Sequence, residues 1–174
     1  MATTQTVVCT LGSANNNIHT LASGSLASTA TNITGIPAGY SYLILQIVGA
    51  SSDTATRQPI VQVDTDNGAS FDTTAGNYVG KNITTATLAA NTLASLVQGA
   101  DVAAASLTSA TIYIYGYHAG PQTSFFSRSI HNTTEYTGFG TYIGTKTAAI
   151  NALSILWNGS GSFDAGTYVL YGVA

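Results

Sequence analysis

The sequence predicts an all-β protein, an antiparallel β-sandwich of jelly-roll type preceded by an extended N-terminal arm. Three observations carry that prediction. Short apolar or alternating runs recur roughly every 8–12 residues with Gly and Asn turns between them, the spacing of a sandwich. The last stretch, Ile150 to Tyr171, holds two alternating runs around Asn158-Gly159-Ser160-Gly161 and reads as two neighbouring strands joined by a loop. The chain ends almost on the second run, so its tail closes the domain. Length adds the third: 174 residues suffice for one domain with a real core.

In chain order, residues 1–32 are expected to form the arm and residues 33–174 the sandwich. The first segment is low in complexity, and Thr6 to Leu11 has the composition of one short strand. Val7, Val8 and Leu11 are its apolar side chains and are expected at an interface, as an arm that adds a strand to a neighbouring subunit. An edge strand followed by a loop fits the same residues.

Ile36-Pro37-Ala38-Gly39 is a turn, because Pro pre-sets φ and Gly closes it. Tyr40 to Val48 is the clearest strand. Leu43, Leu45 and Ile47 line one face, and Tyr42, Ile44, Gln46 and Val48 line the other. Both faces are apolar, as in a central strand covered on each side or placed at a subunit contact. Pro59 to Asp64 is a further strand, closed by the turn cluster Asp64-Thr65-Asp66-Asn67-Gly68. Residues 77–100 hold short runs; the Ala-rich part, Leu88 to Ala105, is equally compatible with a short helix.

Thr108 to His118 is a second strong strand. Its alternation puts Ile112 and Ile114 toward the core and Tyr113, Tyr115 and Tyr117 on the opposite face, toward a partner or solvent. Those three tyrosines join Val7, Val8 and Leu11 as expected interface residues. Gln122 to Ile130 gives one more strand, and Thr133 to Thr145, rich in Gly and Thr, reads as a long loop.

Charge is the unusual feature of the composition: 6 % of residues are charged, against a typical ~25 %. Solubility rests instead on 27 Thr and 17 Ser. A surface without mixed charge suits assembly through hydrogen-bonded contacts better than a free monomer. A net charge of −3 with no basic run gives nothing to neutralise phosphates, so nucleic acid is not an expected partner. Cys9 is the single cysteine, which excludes an internal disulfide. Residues 1–30 lack the cationic start and apolar block of a signal peptide, and no run approaches the ~20 apolar residues of a membrane helix. A soluble protein made in a cytoplasm is expected.

Catalytic patterns are weak. Gly159-Ser160-Gly161-Ser162 lacks nucleophile-elbow spacing, and His19, His118 and His131 are scattered. The Asp64–Asp72 stretch resembles a calcium loop, but its ligand order departs from an EF-hand, and a plain turn fits better. No enzyme activity and no cofactor or metal is expected; an enzymatic reading would have to use acids such as Asp64, Asp66 and Glu135.

Three segments carry a resemblance. Ile36-Pro37-Ala38-Gly39-Tyr40 runs into an apolar strand; Ile112-Tyr113-Ile114-Tyr115-Gly116-Tyr117 is an aromatic strand. The chain closes on Ile150-x-x-Leu153-x-Ile155 and Gly161-x-Phe163-x-x-Gly166-Thr167-x-x-Leu170-Tyr171-Gly172. Over about residues 33–173 these resemble a β-sandwich domain of tailed-bacteriophage virion proteins of the capsid decoration (cement) and fibre type. Gly49-Ala50-Ser51-Ser52 stands where that family usually carries basic residues. The resemblance implies a structural protein on the virion capsid surface that forms a homo-oligomer, typically a trimer, and bridges subunits of the major capsid protein. The alternative it implies is a tail fibre or receptor-binding domain that recognises host glycans through exposed Tyr and Trp157.

Overall fold

The computed structural model describes residues 3–6, 17–26, 28–54, 57–83, 88–90, 95–97, 103–118, 123–144 and 148–174. These residues form twelve strands: β1 (Thr3–Thr6), β2 (Ile18–Ser25), β3 (Ala30–Thr34), β4 (Tyr42–Ser52), β5 (Pro59–Asp64), β6 (Tyr78–Ile83), β7 (Leu88–Ala90), β8 (Thr108–Tyr115), β9 (Thr123–His131), β10 (Thr134–Tyr142), β11 (Ala152–Trp157) and β12 (Phe163–Val173). A single 3-10 turn, Ala75–Asn77, precedes β6, and no α-helix occurs among the described residues. The strands make two sheets, β1-β3-β11-β5 and β2-β12-β4-β8-β9-β10-β6-β7. All pairings are antiparallel except β1 with β3. The sheets pack face to face, so the expected all-β sandwich is what the chain forms.

Period-two alternation builds the core. Leu43, Leu45 and Ile47 of β4 and Ile112 and Ile114 of β8 point inward from the large sheet. They meet Ile33, Val61, Val63, Leu153 and Ile155 from the small one. β12 lies between the edge strand β2 and β4, so this last strand is an integral part of the large sheet.

The final two strands are not a hairpin. Both edges of β11 are occupied, by β3 and β5, and β12 crosses to the other layer. The crossing runs through Gly159 and Gly161, whose φ values of 96° and 134° few other residues adopt. Trp157 and Phe163 pack across it in a tilted pair with ring centroids 4.9 Å apart.

The arm expected over residues 1–32 is also corrected, because β2 and β3 are integral strands and the boundary at residue 33 falls inside β3. Leu21, Leu26 and Ile33 anchor this stretch in the core, and Thr31 and Thr34 are buried beside them. Hydroxyls turned inward make a structural segment of a low-complexity one.

Thr133 to Thr145 is not a loop, since β10 fills most of it. Its glycines are there for close approach: Gly140 is the register partner of both Gly80 on β6 and Phe125 on β9. The Ala-rich stretch contributes β7, a strand; its remaining undescribed part lies outside the described residues.

The free edge of β5 is blocked. Val61 N–H donates to Ser95 Oγ at 3.0 Å, and its carbonyl accepts Leu96 N–H at 2.9 Å. Val63 N–H donates to the Tyr78 hydroxyl at 3.1 Å, and its carbonyl accepts Asp72 N–H at 2.9 Å. With its ladder groups satisfied, this edge offers no template to another strand. One surface open to a partner is a sheet face.

Candidate functional site

That face is the outer side of the large sheet. Among the described residues, most of the exposed large apolar side chains lie on it: Val48, Tyr115, Phe126, Ile130, Phe139, Val79 and Ile83. Sequence periodicity alone places Tyr113 and Tyr115 there. Tyr113 is half-buried and Tyr115 is 43 % exposed, and their rings stack at 6.4 Å with an interplanar angle of 9°. Tyr42 leans on Tyr115 at 5.2 Å, and Phe126 on Tyr113 at 6.2 Å. The four rings form a ladder across β4, β8 and β9.

Tyr117 is not part of it. Gly116, at φ 67°, ends the alternation after Tyr115, and Tyr117 turns into the core at 0 % exposure. Its hydroxyl donates to the Pro37 carbonyl at 2.6 Å and accepts Tyr40 N–H at 3.2 Å, so it pins the turn before β4. Burial pushes its phenol pKa up. Val7, Val8 and Leu11 lie outside the described residues. Trp157 is 1 % exposed, which removes it as a glycan contact.

Phe126 and Ile130 were invisible as surface residues for a simple reason. In β9 the pattern is inverted: Ser127 and Ser129 point inward at 0 % and 1 % exposure while Phe126 and Ile130 face out. The pair Phe125-Phe126 fits either register, and the signal that could have chosen is the alignment of β9 on β8. Ile112 faces Ser127 there, and Tyr113 faces Phe126.

A groove of about 740 Å³ runs along β8 on this face. Ser109 and Thr111 form its floor. Gln46 and Val48 make one bank, and Phe126, Arg128 and Ile130 the other. A β-bulge shapes it: Ile47 pairs with Ala110 and Ala50 with Thr108, so Val48 and Gly49 together oppose Ser109. Gly49 takes φ 61° there, and its N–H donates to Ser109 Oγ at 3.0 Å. Arg128 pairs with Glu135, both exposed; the pairing raises the guanidinium pKa and lowers the carboxyl.

The calcium-like stretch is a pair of turns. The buried Asp64 carboxylate accepts N–H groups of Thr65, Gly68 and Ser70 at 2.8, 2.9 and 3.1 Å. Asp72 accepts Thr74 N–H at 2.8 Å, Asn77 Nδ2–H at 2.7 Å and the Tyr142 hydroxyl at 2.6 Å. Burial raises the Asp72 pKa, but these three donors outweigh it and hold the carboxyl below its usual range. Among the described residues no group of three or more His, Cys, Asp or Glu could hold a metal ion. No protein-family model and no curated protein matches the chain.

Proposed function

We propose that this chain is a structural protein of a tailed-phage virion, a capsid decoration protein that self-associates and bridges major capsid subunits. One observation supports the reading most: a broad sheet face presenting aromatic and aliphatic side chains with little charge. Monomers rarely leave such a patch uncovered, because burying it releases roughly 25 cal/mol per Å². Across β4, β8, β9 and β10 the Asp, Glu, Lys and Arg residues are Arg128 and Glu135, and these neutralise each other. A neutral, apolar outer face favours face-on docking to a protein, and strand addition at β5 is blocked.

The test is location and copy number, by quantitative mass spectrometry of purified heads against purified tails. Hundreds of copies confined to heads are expected; a few copies confined to tails favour the fibre alternative and overturn the proposal. Deleting the segment before residue 31 is not a clean test, since it removes β2 from beside β12.

A further inference from the structure

The groove and the ridge beside it lie one strand apart, and that juxtaposition makes the face self-complementary. The floor is the outward row of β8, Ser109 and Thr111; the ridge is the outward row of β9, Phe126 and Ile130. We propose that this face pairs with the same face of a second copy, across a twofold axis that runs parallel to the strands between β8 and β9. Such a rotation lays β9 of one copy over β8 of the other, twice. Ile130 of each then settles over Ser109 in the groove of its mate, and Phe126 over Tyr113, an isologous contact.

Three features support a second copy as the occupant. Strands β12, β4, β8, β9, β10 and β6 are contiguous. At about 4.8 Å between strands and about eight residues of 3.3 Å along them, they span roughly 760 Å². That approaches the ~800 Å² per partner of a standard specific interface. Second, Arg128 and Glu135 pair within each copy, so the central strands bring no net charge to the contact. Third, sheets stack naturally at about 10 Å with interdigitating side chains, and a trough of small residues beside a row of large ones is what that packing needs.

The inference rests on the reading of this face as an assembly surface, but it fails separately from the capsid assignment. The experiment is light scattering coupled to gel filtration at about 100 µM, in reductant so that Cys9 forms no disulfide. Wild type is expected at twice the 17.8 kDa chain mass. Thr111→Arg, which fills the floor with a charge, and Ile130→Glu, which puts one on the ridge, are each expected at the chain mass with unchanged far-UV circular dichroism. A wild-type monomer, a trimer, or a dimer that survives both variants overturns the pairing. Binding to purified heads separates the two proposals. A monomeric wild type that binds heads keeps the capsid reading and ends the twofold one; a dimer that binds no heads does the reverse.

Discussion

Gly140 on β10 sits directly opposite Gly80 on β6, and neither position has room for a side chain. A Cβ on Gly140 would come 2.4 Å from the Val79 carbonyl oxygen and 2.7 Å from the Gly80 Cα, while the Phe125 ring closes over both glycines. The ring covers backbone that two glycines leave bare, which lets β6 and β10 approach and keeps the strands dry. Gly140→Ala is therefore expected to lower stability by about 1–3 kcal/mol, the usual cost of overpacking. Gly39→Ala, at a turn where an added Cβ meets nothing within 4 Å, is the control and should be neutral or slightly stabilising. Equal losses in urea unfolding of the two variants would contradict this account.

Tyr115 and Tyr117, two residues apart, should differ in how much they contribute to stability. Tyr117→Phe removes the bonds to Pro37 and Tyr40 while the ring stays buried, and is expected to cost about 1–3 kcal/mol. Tyr115→Ala removes an exposed ring and should shift folding stability by less than about 1 kcal/mol. Thermal melts of the pair check the point at which Gly116 turns the chain inward.

Acid should destabilise the protein in two steps. His131 is buried between the Thr108 and Ser129 hydroxyls and against the Tyr136 ring, and burial pushes its pKa down to about 4. The unfolded chain takes up that proton near 6.5, so the stabilisation is complete above pH ~6.5 and is lost as pH falls toward 4. The full effect is roughly 3 kcal/mol. His131→Gln should flatten stability between pH 6.5 and 4; an unchanged slope would show that another group titrates there.

Asp72 acts in a lower window. Its folded-state pKa is depressed, so its contribution is present above the ordinary carboxyl range and lost as pH falls through the lowered value. Asp72→Asn places an amide donor among the Tyr142, Asn77 and Thr74 donors, and a cost of about 1.5–3 kcal/mol at pH 7 is expected. Chemical denaturation at pH 7 and pH 3 checks it: the gap between variant and wild type should shrink at the lower pH.

Local alternation was enough to read the sandwich class, the Leu43-Leu45-Ile47 and Ile112-Ile114 core rows and the Tyr113–Tyr115 stack, because period-two burial is written in neighbouring residues. The turn at Ile36–Gly39 and the strand that becomes β12 were legible from equally local patterns. Partner choice between strands was not. Nothing near Trp157 or Phe163 says that β3 and β5 have already taken both edges of β11, so a hairpin-like stretch crosses between layers instead. Nor does Gln122 to Ile130 say which of Phe125 and Phe126 faces out, since a one-residue slip exchanges the faces of a strand and only pairing with β8 and β10 selects one. Composition by itself determined that this protein would be sparsely charged. Where its exposed apolar face lies was decided by tertiary register, which turns serines inward on β9 and leaves Phe126 and Ile130 beside a groove that no single strand contains.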